Sequence, residues 1–451
     1  MLDNTVVNVA LPSIQRDLGA DLSELEWIVT GYALTFASLM LVGGKVADAY
    51  GRRLIFVIGI VVFTVASLMC GLATSSEMLI GSRVLQGAGA ALMNPATLSI
   101  IAATFPPRER GTAIGIWAGT SALALAIGPL VGGLITEHLD WSWIFFVNVP
   151  IGALGIVASF AFIDESRDET HASLDIPGLA TSAIGLFALT YGLIEANTYG
   201  WTSARIVGAF AVAVIGLVTF VVLERRRREP MLPLDLFRNG TYTGANLVVL
   251  LVALAMFGVF FFVSLYMQNI LGYSAVQAGA AFLPMTVLII LVAPIAGRAS
   301  DRIGSRGLMT AGMSLLALQL VLFSQLGIGA SFWNLLPALL IGGVGMSLTM
   351  TPSAAAATRG VPVDKAGVGS AVLNSARQVG GTMGVALMGA IVAAEAGGER
   401  TPEAFMRGFE RALLVAAGIA ALGAVVAYVL VRPHEEAGRR PQHATAEPVA
   451  K

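Results

Sequence analysis

Long apolar runs follow one another along almost the whole chain, separated by short polar segments. Thirteen runs are long enough to cross a bilayer, which takes about 17 to 25 residues. They lie at 25–46, 54–73, 78–101, 111–136, 143–163, 176–195, 205–223, 244–270, 276–296, 308–326, 332–357, 366–393 and 412–431. With a shorter run at 1–14, the pattern predicts an all-α membrane protein of fourteen transmembrane helices.

The first run is shorter than the others. A helix over residues 1–14 covers about 21 Å, whereas the hydrocarbon core is about 30 Å thick. No cytoplasmic segment precedes it in the sequence. We therefore expect the natural protein to start upstream of Met1 and to carry the first half of this helix; in the alternative, Asp3 would lie near the membrane surface.

Composition supports the membrane assignment. Hydrophobic residues make up 56% of the chain, charged residues 12%, and mean hydropathy is +0.80, whereas about 25% of residues in soluble domains are charged. Cys70 is the only cysteine, which excludes a disulfide framework. The four histidines fall in loops or the tail, so we expect no metal site and no cofactor.

Basic residues predict the orientation, since cytoplasmic loops carry an excess of lysine and arginine. If the loop at 43–53 is cytoplasmic, twenty of the 27 basic residues fall in loops on that side or in the tail, and only five on the other. We therefore expect both termini and the 224–243 loop to be cytoplasmic. The run Arg225 to Arg228 is most simply a topology anchor that also contacts anionic headgroups.

A duplicated loop motif divides the chain into two halves. Gly44, Asp48, Gly51 and Arg53 recur 253 residues later as Gly297, Asp301, Gly304 and Arg306. Secondary transporters carry such repeats, with a substrate site near the midplane between halves that rock against each other. We predict a six-helix bundle at 1–163, two linker helices with their loops at 164–243, a second bundle at 244–431 and a disordered cytoplasmic tail at 432–451.

Asp3 is interpreted as the only carboxylate well inside an apolar span, and an intramembrane acid is by default a functional candidate. Arg83 lies within the fourth span and needs a counter-charge, so we predict that the two residues pair. Hydrocarbon favours the neutral acid and a guanidinium favours the ionised one, so small movements could switch the protonation of Asp3. The alternative for Arg83 is a purely structural ion pair.

Other polar residues at membrane depth are candidates for a substrate cavity. Arg83, Gln86, Gly87, Ala90 and Asn94 share one face of the fourth span, and Asn374, Arg377 and Gln378 share one face of the thirteenth. The full candidate set is Asn8, Gln86, Asn94, Asn374, Arg377 and Gln378. Arg377 could instead reach an interface, and the run Met256 to Phe262 could line a cavity or merely pack.

Glycines mark the fifth span and the repeated loops. Gly128, Gly132 and Gly133 permit close helix approach, and Pro129 breaks a backbone bond, as expected of a tightly packed gate. Charges in the loops can pair with each other or with helix dipoles. We interpret the glycines as packing and turn residues rather than ligand contacts.

These motifs resemble those of the major facilitator superfamily, and within it the fourteen-span drug:proton antiporters of the QacA/EmrB type. The likeness covers nearly the whole chain and rests on four motifs. They are the first-span run Leu2 to Pro12, the loop Gly44 to Arg53 with Arg52, the fourth-span set from Arg83 to Ala90, and the fifth-span set Gly115, Gly128, Pro129, Gly132 and Gly133. Ala49 and Ala124 depart from the pattern. The resemblance implies loops that latch one conformational state, and a multi-pass protein of a bacterial cell membrane.

The first functional hypothesis is a proton-driven exporter of small lipophilic compounds, with a dedicated exporter of an endogenous metabolite or lipid as its alternative. An integral-membrane enzyme and a receptor are disfavoured, because no catalytic constellation reaches membrane depth and no extramembrane region is large enough for a signalling domain. The chain has no G-x-x-x-x-G-K-[ST] loop, so we expect the proton gradient rather than ATP to supply energy. We expect a monomer in the lipid bilayer that binds no nucleic acid.

Overall fold

The computed structural model describes residues 3–106, 120, 124, 127–167, 175–227, 230, 232, 234–361, 366–397, 399 and 401–432, without the side chains of 4, 41, 45, 98, 102, 366–368, 370 and 371. Helices of the first half are α1 (Asp3–Leu18), α2 (Leu22–Tyr50), α3 (Arg52–Gly71), α4 (Ser76–Thr104), α5 (127–138), α6 (Trp143–Phe146) and α7 (Asn148–Phe162). Two helices follow, α8 (Ile176–Tyr199) and α9 (Ala204–Arg226). Those of the second half are α10 (Gly240–Leu265), α11 (Ala275–Ala281), α12 (Leu283–Ile303), α13 (Ser305–Ser324), α14 (Phe332–Arg359), α15 (Ala366–Ala396) and α16 (Pro402–Leu430).

Eleven helical segments among the described residues are long and apolar enough to cross a membrane, and α2 makes twelve if its two parts, bent by 51°, form one span. The helix α1 has 16 residues, and much of the predicted span at 111–136 lies outside the described residues. The other predicted spans each coincide with helical segments. The chain is therefore an all-helical membrane protein, and the number fourteen remains a prediction.

The apolar pattern located the helices better than their ends. The last helix begins at Pro402, ten residues before the predicted start at 412, because Thr401 caps it and its first turns carry Arg407 and Arg411. These arginines lie on α16 and pair with Glu399 and Glu395. The predicted span at 276–296 is two helices, α11 and α12, which meet at Phe282.

Short polar segments end the helices by recognisable means. Asp21 caps α2 in a capping box with Glu24, and Ser274 caps α11 in a capping box with Gln277. Between α2 and α3 the chain turns at Gly51 with φ of 121°, and between α12 and α13 it turns at Gly304 with φ of 85°. Because side-chain-bearing residues rarely adopt such φ values, both copies of the repeated loop require glycine here.

Most of the extensive helix contacts join helices of the same half. In the first half α4 packs against α2 and α3, and in the second α13 packs against α14 and α16. The helices α8 and α9 pack against each other, and α8 also contacts both α2 and α15. Large apolar side chains such as Leu154, Phe162 and Val429 are exposed on the outer surface, as expected of a surface that faces lipid.

The two halves meet along α1, α2 and α5 on one side and α10, α11 and α15 on the other. Ser264 Oγ donates to the Asn8 carbonyl at 2.9 Å, and Gln268 Nε2 donates to the Val9 carbonyl at 2.9 Å. Gln268 lies in a π-helical turn, Tyr266–Ile270, that continues α10. These contacts lie toward the end of the bundle that carries the α1–α2 loop, the end predicted to face outside.

Candidate functional site

Asp3 and Arg83 form an ion pair in the interior of the first half. Arg83 Nη1 lies 2.5 Å from Asp3 Oδ2, and the two residues are 1% and 6% exposed, respectively. The predicted contact is therefore present. A charge is costly in such surroundings unless it is paired, so each of these side chains offsets the cost of burying the other.

An amide and hydroxyl network surrounds the pair. Gln86 accepts from Arg83 Nη1 at 2.6 Å and donates to Ser67 Oγ at 2.7 Å and to Asp3 Oδ1 at 3.3 Å. Asn148, at the start of α7, donates to Asp3 Oδ1 and to Ser67 Oγ, both at 3.3 Å. Residues of α1, α3, α4 and α7 thus form one network around the Asp3 carboxylate, so movement of these helices would change its hydrogen bonds.

The guanidinium of Arg83 is held on its remaining sides by α2 and by aromatic rings. Its Nε donates to the Ile28 carbonyl at 3.0 Å. The ring of Tyr32 lies 4.3 Å from the guanidinium carbon and that of Phe145 lies 5.8 Å away, which are cation–π contacts. A planar cation with several donors satisfies all these partners at once, which an ammonium would not.

The other predicted residues of this face of α4 lie outside the network. Gly87 lies against the Tyr32 carbonyl of α2, where a Cβ atom would overlap. Ala90 is buried and Asn94 is half-buried. Only Arg83 and Gln86 of this face join the network.

The remaining cavity candidates lie apart from the ion pair. Asn8, on α1, has a buried side-chain oxygen without a hydrogen-bond partner in the described structure. On α15, Gln378 is buried, Asn374 and Arg377 are half-buried, and the Nε of Arg377 lacks a hydrogen-bond partner among the described residues. The structure does not assign a ligand to any of them.

At the first repeated loop, Asp48 pairs with Arg52 at 2.8 Å. Arg53 reaches the chain after α7 instead, where its Nη1 donates to the Ile163 carbonyl at 3.0 Å. Glu165 accepts from the backbone N–H groups of Arg53 and Leu54 at 3.0 and 3.1 Å, so it caps α3. Sequence reasoning missed Glu165, which ties the loop to the end of the first bundle.

We predict that Glu165→Ala loosens this loop, because two N–H groups at the start of α3 lose their acceptor. The expected cost is about 1 kcal/mol, typical of a lost helix cap. It should appear as faster proteolysis after Arg52 or Arg53, with a modest loss of transport. Asp164→Ala, one residue away, is the matched control. Equal protection of Glu165→Ala and the parent protein would contradict the capping role.

The second repeated loop is built differently. Asp301 pairs with Arg359 at the end of α14 at 3.2 Å, and Arg359 also donates to Ser300 and Ser305. The guanidinium of Arg306 lies 4.0 Å from the ring centroid of Tyr428. A Cβ atom at Gly297 or Gly44 would make only ordinary contact, at 3.4 Å, with Thr351 or Pro95, respectively.

The glycines of α5 allow close contact within and between the halves. Gly132 lies against Val6 of α1, and a Cβ at Gly133 would lie 2.5 Å from the Ala275 carbonyl of α11. Gly279 of α11 lies reciprocally against the Pro129 carbonyl. Gly128 is buried, and Gly115 lies outside the described residues. The expected close helix approach is present, and it joins opposite halves.

Glu137, at the end of α5, stabilises the contact between α5 and α11. It accepts from the Val276 N–H of α11 at 2.9 Å, and hydrogen bonds from Ser274 and Val276 lower the pKa of its carboxyl group. A lowered pKa means that the contact is fully formed above the ordinary pKa of glutamate, about 4.3, and is lost as pH falls through the lowered value.

We predict that Glu137→Gln weakens the contact between α5 and α11 at neutral pH. In the parent protein, strong acid should have the same effect, because it protonates Glu137. A cysteine at Ser13, which lines the adjacent 380 Å³ crevice, should then react a few-fold faster with a charged maleimide. Glu77→Gln, which removes another exposed acid, should leave the rate unchanged. An unchanged rate in Glu137→Gln would show that the hydrogen bonds do not hold the halves together.

Several functional candidates escaped sequence reasoning. Ser67 and Asn148 lie in apolar runs that also hold Thr64 and Ser159, respectively, so the sequence did not single them out. Glu26, the second residue of the predicted span 25–46, was not among the candidates, although it is only 2% exposed. Its position next to a span boundary gave no sign of this burial.

Comparison with known proteins identifies the family. The chain matches the model of the Major Facilitator Superfamily over residues 1–385. It is 38% identical to the puromycin resistance protein of Streptomyces alboniger, with 99% of this chain and 92% of that protein covered. It is 37% identical to the tetracenomycin C resistance and export protein of Streptomyces glaucescens, over 88% and 74% of the two chains.

Solved structures agree on the fold. A peptide transporter in complex with sulfate superposes with a TM-score of 0.68 at 16% identity, covering 97% of this chain and 92% of that one. A bacterial homologue of the lysosomal transporter Spinster, in an inward-facing, occupied conformation, gives a TM-score of 0.65 at 18% identity, covering 97% and 94%.

The fold and the paired helical halves define a membrane transporter rather than an enzyme. The chain belongs to the Major Facilitator Superfamily. Its relatives include proteins named for resistance to antibiotics or to multiple drugs, such as the multidrug resistance protein Stp of Mycobacterium tuberculosis, at 35% identity over 87% of this chain and 73% of that one.

Proposed function

We propose that this protein is a proton-coupled antiporter that exports lipophilic drugs or related small molecules by alternating access. The observation that carries the proposal is the buried Asp3–Arg83 pair. We infer that movement of the surrounding helices changes the protonation of the Asp3 carboxylate. Relatives named as resistance and export proteins support the direction of transport and the class of substrate.

The finer features follow the resemblance. We infer fourteen spans of the QacA/EmrB type, with both termini cytoplasmic, and a monomer that uses no ATP. Support comes from the twelve candidate spans, from helix α1 and from α5, which is described only at 127–138. The distribution of arginines supports the orientation.

The test compares cells with and without the gene on a panel of antibiotics, dyes and quaternary amines. Expression should lower accumulation of at least one lipophilic compound, and a protonophore should abolish the difference. Export that continues after the proton gradient is collapsed would contradict proton coupling. A response confined to one structural class of compound would favour a dedicated exporter over a multidrug one.

A further inference from the structure

Glu26 is a buried acid located where the two halves touch. It lies in the second turn of α2, and its carboxylate rests on the backbone of α15 at Gly389, where a Cβ atom would overlap it. A Cβ atom at this position would displace the carboxylate from where it lies. Because α2 belongs to the first half and α15 to the second, this contact exists only while the halves are together at this end.

Among the described residues, the two charged groups that act on Glu26 are both acidic. Glu195 on α8 accepts from Trp27 Nε1 at 3.1 Å, and Asp21 caps α2. From α15 only uncharged backbone is presented, and the Ala390 carbonyl is already bonded to Asn197 Nδ2 at 2.8 Å. The described structure shows no salt bridge to Glu26, so its situation differs from that of Asp3.

A carboxylate enclosed in this way is favoured as the neutral acid, because an ionised one needs water or a cation to stabilise it. When the halves part at this end, α2 leaves α15 and water reaches the carboxylate. The neutral form then competes with an ionised form that water stabilises. Protonation and closure are therefore linked: whatever favours one favours the other.

We propose that Glu26 is a second proton-binding residue, protonated while the outer contact between α2 and α15 is closed and deprotonated to water when that contact opens. This rests on the proposed proton-coupled function and deepens it. In a transporter open to the outside, a hydronium ion there transfers its proton to the Glu26 carboxylate and leaves water. The neutral side chain then lets α2 return to Gly389, so closure after substrate release requires a proton from outside.

The experiment measures closure directly in the purified full-length protein in lipid nanodiscs. Spin labels are placed on cysteines at Thr74 and Glu403, exposed residues of opposite halves near this end, while buried Cys70 stays in place. Electron–electron distance measurements are made at pH 5 and pH 8. The parent protein should shift toward longer distances at pH 8, and Glu26→Gln should keep the short distance at both values. A Glu26→Gln protein that retains the parental pH shift overturns the proposal.

Two further variants exclude a trivial explanation. Glu410→Gln removes an exposed carboxylate on α16 and should retain the parental pH shift; loss of the shift there would assign it to general surface charge and contradict the role of Glu26.

Gly389→Ala adds a methyl group where the carboxylate lies and should favour the long distance at both pH values. Parental behaviour of Gly389→Ala would show that the contact is not what closes this end.

A transport assay separates this inference from the proposed function. Uphill substrate accumulation driven by a pH gradient reports coupling, whereas the distance measurement reports Glu26. Coupled transport with an unchanged pH shift in Glu26→Gln overturns only the second proton site. A Glu26-dependent pH shift in a protein that shows no coupled transport overturns the proposed antiport and leaves the titration of Glu26 established.

Discussion

Replacing Arg83 by alanine should abolish transport while the protein still reaches the membrane. The substitution removes the cation of the buried pair, and Gln86 Oε1, the Ile28 carbonyl and Asp3 Oδ2 each lose the hydrogen bond that Arg83 donates. Breaking a buried ion pair by removing one partner costs about 3 to 5 kcal/mol, and protonation of Asp3 recovers part of it. The measurements are substrate efflux and the thermal stability of the purified protein.

Arg83→Lys is the matched variant. It keeps the charge but loses the planar group that serves the three acceptors and lies over the Tyr32 ring. Partial transport is expected, with a lower rate than the parent. Transport by Arg83→Ala at the parental rate would show that the pair has no part in the cycle.

The second large effect is expected at Asp3. Asp3→Asn keeps nearly the same shape and can still bond to Gln86 and Asn148, but it cannot ionise. The variant should bind substrate with affinity similar to that of the parent and fail to concentrate it against a gradient. Uptake into inverted membrane vesicles driven by a pH gradient measures this, and binding is measured separately on the purified protein.

Asp3→Glu tests whether an ionisable group is sufficient when the length of the side chain changes. It retains an ionisable group that is one methylene longer, so some activity should remain, with a shifted pH optimum. If Asp3→Asn accumulates substrate uphill as the parent does, Asp3 acts only as a hydrogen-bonding residue. The coupling group would then lie elsewhere, and Glu26 would be the next residue to test.

The sequence predicted the helices and the central contact well, for physical reasons. A bilayer demands long apolar runs, so most spans could be located within a few residues. Arg83 and Asp3 were expected to meet because a charge in an apolar span needs a partner.

The parts that escaped prediction depend on packing between distant segments. Asn148 and Ser67 join the site because α7 and α3 happen to face Asp3, and polar residues in apolar runs carry no such information. Glu165 caps α3 from 112 residues away. Glu26 is buried only because Gly389, on the other half, leaves space for it.

The most direct test of the account is substrate-driven proton movement. The purified protein is reconstituted into liposomes that contain a pH-sensitive dye, with no pH gradient, and a transported compound is added on one side. The account predicts that protons move in the direction opposite to the substrate in the parent protein and do not move in Asp3→Asn. Substrate that crosses in the parent protein without any proton movement would contradict it.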